Sequence, residues 1–185
     1  MVHIAGGALK GLTLTVPKQI RATEGRVRQA LFNIVGSVEG MRIIDAFAGS
    51  GAMGLEALSR GAQLVQFLES DRGCLEAIQR NLARIQPETI PGSGVVIQGD
   101  ALRNLRRLAE ASVPYDLIIV DPPYQGPWGK KALNVVAACA MLAPSGLICV
   151  EHARRNELPA IAGPLTALTQ HRYGETVLSF YRARG

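Results

Sequence analysis

Cysteine is scarce. Cys74, Cys139 and Cys149 are the three in 185 residues, and no two of them form a CxxC pair. No histidine stands at zinc-binding spacing from them, so neither a disulfide framework nor a Cys/His metal site is expected. They read as small buried hydrophobes in a reducing compartment. No apolar run approaches the roughly 18 residues that a membrane-spanning helix needs. The opening "MVHIAGGALKGLTLTV" lacks a charged segment followed by a continuous apolar one, which argues against a secretory signal. Internal repeats and low-complexity linkers are missing too. These absences lead to the expectation of a cytoplasmic protein with no membrane partner and no metal.

What is present fits one globular domain with a good core: 48% of residues are hydrophobic and 19% charged. The formal charge of +5 is unevenly spread. Residues 1–38 carry Lys10, Lys18, Arg21, Arg26 and Arg28 against Glu24 alone, a net of +4. Residues 39–153 hold ten basic and twelve acidic side chains, and residues 154–185 hold five and two. Basic ends can be plain solvated surface; they can equally form a face that binds a polyanion, nucleic acid being the usual one.

The hydrophobic pattern divides the chain at about residue 38. Before it, "HIAGGALKGLTLTV" predicts a short β-hairpin, and "RVRQALFNIVGS" predicts an amphipathic helix with Val27, Ala30, Leu31, Ile34 and Val35 at helical spacing. After it, "MRIIDAF", "QLVQFLES", "GVVIQGD", "YDLIIVD" and "GLICVEH" are short apolar runs, each leading to an acidic residue. Helical segments at about 51–60, 71–85, 101–111 and 129–142 separate them. Strands alternating with helices predict a doubly wound α/β domain with a mainly parallel sheet. The final "GPLTALTQHRYGETVLSFYRA" reads as two strands around a tight "YGE" turn, which would leave one antiparallel strand at the sheet edge. The expectation is effectively a single domain, residues 39–185, with a basic extension at 1–38.

Two stretches carry chemistry. "DAFAGSGAMGLEAL" holds Gly49, Gly51 and Gly54 between a strand and a helix, where glycines let backbone N–H groups approach a ligand. The same spacing also suits a turn made only for packing. Glu69 ends the next strand, where a carboxylate can accept both hydroxyls of a ribose. A nicotinamide dehydrogenase fits that much equally well. Asp45 separates the two, because a carboxylate beside the glycine turn repels a pyrophosphate and attracts a cation. S-adenosylmethionine, with an amine, a sulfonium and no phosphate, fits. Asp100 then stands where an adenine amino group can be held, or where it caps the helix starting at Ala101, or both.

The second stretch is "IIVDPPYQG", residues 118–126. Two prolines end the strand, since neither can donate to a ladder. The fourth strand should lie beside the first, which brings Asp121 next to Asp45. Methylating an exocyclic amine on a base requires acceptors that draw its hydrogens out of plane. Asp121 and the Pro122 carbonyl supply two, and Tyr124 offers a face for stacking the base. Trp128 reads as a loop anchor.

"DPPY" resembles the (D/N)PPY motif of amino-methylating class I methyltransferases, and "DAFAGSGAMGLEALSRGA" is similar to their cofactor segment. "RVRQALFNIV", "FLESDR", "VEH" and "RYGETVLSFY" resemble the RsmD family in particular. The resemblance implies a Rossmann-like methyltransferase fold with a seven-stranded sheet and a reversed last strand. It implies S-adenosylmethionine as cofactor, held by Asp45, Gly49, Ser50, Gly51, Glu69, Ser70, Asp100, Ala101 and Asp121. It also implies methylation of N2 of a guanine in 16S ribosomal RNA, within the small subunit; a monomer is expected, with Lys10, Lys18, Arg21, Arg26 and Arg28 on the RNA phosphates. DNA adenine-N6 methyltransferases share "DPPY", and an assembly factor without catalysis could share the fold. Two departures stand out: Ala22 replaces the family's proline and Gly25 its aspartate, which puts target choice in question and removes an expected helix cap.

Overall fold

The computed structural model describes residues 1–17, 25–86 and 88–184. Strands β1 (Val2–His3) and β2 (Thr13–Leu14) pair antiparallel and precede α1 (Gly25–Val35). Five strands then alternate with helices: β3 (Arg42–Ala46), α2 (Ala52–Ser59), β4 (Leu64–Glu69), α3 (Arg72–Ala83), β5 (Ser93–Gln98), α4 (Ala101–Glu110), β6 (Tyr115–Val120), α5 (Trp128–Cys139) and β7 (Leu142–Ala153). β8 (Ile161–Ala162), β9 (Leu165–Tyr173) and β10 (Thr176–Ala183) complete the chain. Gly25 is the first helical residue of α1 rather than its cap.

The large sheet runs β5-β4-β3-β6-β7-β10-β9-β8, with β5 through β7 parallel in that order. The chain winds outward from β3 to β5, then returns to the other side of β3 with β6. That reversal leaves a crevice at the carboxyl ends of β3 and β6, the usual ligand position in such sheets. Seven strands were expected; the eighth is the two-residue β8 at the edge.

The reversed strand of the final hairpin is not at the edge. β10 is inserted between β7 and β9, antiparallel to both. Side-chain chemistry explains it: Val177, Leu178, Phe180 and Tyr181 are at most 3% exposed, so β10 needs cover on both faces. β9 exposes Leu168, Thr169 and Gln170 and tolerates the outer position.

One apolar layer packs α1, α2, α3 and the β1–β2 hairpin against the sheet; the other packs α4 and α5. The basic extension therefore shares the core of the sheet, through Ile4, Leu14, Val27, Leu31 and Phe32. A buried charge cluster fixes it further. Glu56 of α2, 0% exposed, accepts from the Ala5 amide at 2.8 Å and pairs with Arg28 at 3.3 Å and Arg60 at 2.8 Å. The Arg28 guanidinium also donates to the His3 carbonyl at 2.6 Å. This corrects one expectation, since Arg28 is 2% exposed and has no surface from which to reach a phosphate. Its position beside Val27 and Leu31 turns it inward, and removing it would leave the buried Glu56 carboxylate with Arg60 as its one cationic partner in this cluster.

Candidate active site

Side chains alternate along a strand, so register alone decides what the crevice presents. Ile43 of β3, Ile119 of β6 and Cys149 of β7 all belong to the layer under α1 and α2. Asp45 lies two residues past Ile43 on that face, Asp121 two past Ile119, and Glu151 two past Cys149. Asp45 is level with Ile119 and Ile119 with Cys149, so three carboxylates step across three neighbouring strands. Thr176 of β10 lies beyond them, two residues before Leu178, the partner of Glu151.

A cavity of about 470 Å³ opens over this row, within the range of small-molecule sites. Val27 of α1 and Met53 of α2 line it on the extension's side; Phe47 to Ser50, Glu69 to Asp71 and Asp121 to Tyr124 supply three loops. Five acidic side chains line it (Asp45, Glu69, Asp71, Asp121 and Glu151) and, among the described residues, no Lys, Arg or His. Such a lining repels phosphate and attracts a cation.

The turn after β3 is held in strained geometry. Phe47 has φ 63°, a left-handed conformation that costs a non-glycine residue about 1–3 kcal/mol. Of the three glycines, only Gly49 lines the cavity, beside Ser50. Gly51, with φ 76°, makes the turn but faces the other way, where a Cβ would sit 3.0 Å from Ile78. Gly54 serves close helix–strand packing, since a Cβ there would lie 2.3 Å from the Phe67 ring.

Asp45 is 1% exposed and accepts the Gly54 amide at 2.8 Å. Burial pushes its pKa well above the usual 3.8; the Gly54 N–H pulls it down, and Asp121 and Glu69 push it up again. Glu69 is tied to the backbone: Oε2 accepts from Gly49 at 2.7 Å, and Oε1 from Ser70 at 2.7 Å and Asp71 at 2.8 Å. A carboxylate has about four acceptor positions, so in this arrangement one remains for a ligand hydroxyl rather than the two expected. Asp100 is exposed and caps α4 through the Arg103 amide at 2.8 Å. Neither it nor the buried Ala101 lines the cavity; Asp100 lies two residues past Gln98, the partner of Glu69.

Pro122 is buried and Tyr124 half-buried at the cavity wall. The Tyr124 hydroxyl donates to Glu151 Oε1 at 2.7 Å and lies 2.7 Å from the Thr176 hydroxyl. Burial raises its pKa further above 10, so it remains a neutral phenol. Asn156 holds the same loop by donating to the Tyr124 carbonyl at 2.9 Å. A second cavity of about 240 Å³ shares Pro122, Tyr124 and Glu151 and adds Lys130, His152 and Asn156. Trp128 opens α5 with Lys131 over its ring, at 4.8 Å from the centroid, and lines neither cavity. Lys10 and Arg26 are exposed on the extension; Lys18 and Arg21 fall outside the described residues.

Glu151, Thr176, Asp71 and Cys74 were not among the expected site residues. Glu151 carried a readable signal, an acid at the end of an apolar run like Asp45 and Asp121. Asp71 was readable as a helix cap: its carboxylate accepts the Cys74 amide at 2.9 Å. Burial raises the Cys74 thiol to about 12, with Glu69 and Asp71 pushing the same way. Cys74 therefore stays protonated at neutral pH and is expected to resist iodoacetamide at pH 8, although it lines the cavity. Peptide mass spectrometry after brief treatment of the native protein checks this; rapid alkylation at Cys74 contradicts it.

Comparisons with known proteins bear on the family and the fold. A family model described as Conserved hypothetical protein 95 matches residues 2–182. Ribosomal RNA small subunit methyltransferase D of Escherichia coli K12 is 32% identical over 184 residues, covering 98% of this chain and 89% of that one. YlbH of Bacillus subtilis is 32% identical over 187 residues, 100% of both chains. The solved structure of yhhF from Escherichia coli superimposes with a TM-score of 0.85 at 32% identity, covering 99% of this chain and 98% of that one. The sheet order and its reversed strand are those of the Rossmann-like class I methyltransferase fold. Matched nearly end to end, the chain belongs to the Conserved hypothetical protein 95 family, the RsmD family whose motifs its sequence carries.

Proposed function

We propose that the protein methylates the N2 amino group of a guanine in 16S ribosomal RNA of the small subunit, using S-adenosylmethionine. The observation that carries this reading is the cavity itself: a cation-attracting pocket at Asp45 and Glu69 continues into the Asp121–Tyr124 loop on the neighbouring strand tip. A relative 32% identical over nearly the whole chain is named for methylation of small-subunit ribosomal RNA.

The donor set fits this cofactor, for five carboxylates and, among the described residues, no cationic side chain line the cavity. When bound, S-adenosylmethionine supplies an electrophilic methyl group on a sulfonium. Asp45 would balance its amine, Glu69 would take a ribose hydroxyl at its remaining acceptor position, and Gly49, Ser50 and Ser70 would border it. Asp100, just past the strand end that pairs with Glu69, would meet the adenine edge.

Asp121 and the Pro122 carbonyl would accept the two hydrogens of the target amine and turn its lone pair out of the ring plane. The Tyr124 ring would support the base, which must leave its stack at a cost of a few kcal/mol. Lys10 and Arg26, with Lys18 and Arg21, would contact phosphates and give an attraction that weakens as salt rises.

The test offers labelled S-adenosylmethionine with duplex DNA, naked ribosomal RNA and small subunits from cells lacking the gene, followed by nucleoside mass spectrometry. N2-methylguanosine in small-subunit RNA is the expected product. Label in DNA adenine, or in no nucleic acid, overturns the proposal.

A further inference from the structure

The geometry points to Glu151 as the residue that selects guanine, by accepting the ring N1–H while Asp121 and Pro122 hold the neighbouring amine. This rests on the methyl-transfer reading and goes beyond it, because the acceptors of "DPPY" hold any exocyclic amine and do not say which base carries it.

Three observations support the assignment. Glu151 stands one residue past Val150, the partner of Val120, just as Asp121 stands one past Val120. The two carboxylates are therefore side by side on one sheet face, and both line the cavity. Glu151 is 4% exposed, so its charge is held largely out of water, where a carboxylate discriminates strongly between a donor and an acceptor. It is also held in place: the Tyr124 hydroxyl donates to Oε1 at 2.7 Å.

Base chemistry completes the step. Among the four RNA bases, only guanine carries a ring N–H next to an exocyclic amine. Adenine and cytosine place a ring-nitrogen lone pair there, which a carboxylate repels, and uracil has no amine. A row of two acidic side chains plus one carbonyl therefore matches three adjacent donors, N1–H and the two amino hydrogens of guanine.

The experiment is a cycle between protein and base. Small subunits are assembled with guanosine or 2-aminopurine riboside at the nucleotide that the wild-type protein methylates. 2-Aminopurine keeps the N2 amine but has no hydrogen at N1. The wild type is expected to prefer guanine by about 10- to 100-fold in kcat/KM, the range for a hydrogen bond to a charged group. Glu151→Gln, whose amide can turn either way, is expected to shrink that preference to about threefold or less, with cofactor affinity unchanged. The cycle cancels the loss of O6, which both proteins share. If Glu151 only positions Tyr124, Glu151→Gln slows both substrates equally and leaves the preference intact, which overturns the inference. Should the variant not fold, equal wild-type rates on the two bases overturn it as well. Failure of the wild type to methylate any small-subunit guanine removes the underlying reading, a result distinct from an unchanged ratio.

Discussion

Replacing Asp121 by alanine is expected to lower methyl transfer by about three orders of magnitude while leaving cofactor affinity within a few fold. The expectation follows from where Asp121 lies. It comes one residue past the strand pairing that brings Val120 level with Ala46, on the rim between the Asp45 pocket and the Tyr124 ring. In the proposed reaction it accepts hydrogens from an amine whose lone pair would otherwise stay delocalised in the base. Such an acceptor matters most as the new bond forms and little when the cofactor binds alone. Asp121→Asn should retain far more activity, because the amide oxygen still accepts. Single-turnover rates and calorimetric binding of S-adenosylmethionine measure the two quantities separately. A variant that loses cofactor binding as severely as transfer would show that Asp121 belongs to the pocket, not to the target amine.

Asp45→Asn is expected to make the protein more stable and a poorer binder. The carboxyl is 1% exposed, and burial raises its pKa well above 3.8 even though the Gly54 N–H opposes the shift. Because the folded pKa exceeds the unfolded one, the stabilising contribution is fully present below about pH 3.8 and is lost as pH rises through the folded pKa. Near neutral pH the cofactor-free protein therefore carries this group at a cost. Asparagine fits the same space and can still accept from Gly54. Relief of about 1 kcal/mol would raise Tm by about 2–4 °C for a chain of this size. Loss of the negative partner should weaken S-adenosylmethionine binding by about 10- to 100-fold. Wild-type affinity should also fall as pH drops through the Asp45 pKa, and the variant should lack that dependence. Calorimetry across pH together with thermal unfolding checks all three; unchanged affinity in the variant contradicts the role given to Asp45.

The parallel sheet and its switch point were legible because each central strand is a compact apolar run ended by an acid, and such runs need cover on both faces. Asp45, Glu69, Asp121 and the proline stop were visible for the same reason. What the sequence concealed depends on partners far along the chain. Arg28 looked like one more surface cation until Glu56, 28 residues on, met its guanidinium in the interior. Glu151 ends an apolar run like the others, but its place beside Asp121 follows from strand order, which no local pattern states. Gly51 matched a glycine motif by spacing and yet faces Ile78, because the turn rotates it away from the cavity. The antiparallel strand of the last hairpin was foreseen at the edge and lies two places inward, since the apolar residues of β10 find cover only between two neighbours.

The extension is fastened to the far end of α2: the Ser59 carbonyl accepts the Ala8 amide at 2.7 Å, and the Ser59 hydroxyl accepts the Leu9 amide at 2.9 Å. The near end of that eight-residue helix carries Ala52 and Met53 at the cavity. One short rod thus joins the basic extension with the wall of the large cavity. Cutting or exchanging the arm would uncover apolar surface and remove the Arg28 and Ala5 partners of the buried Glu56 carboxylate. Any exchange of the extension must therefore keep the interior partners of Ile4, Leu14 and Arg28 along with its exposed face.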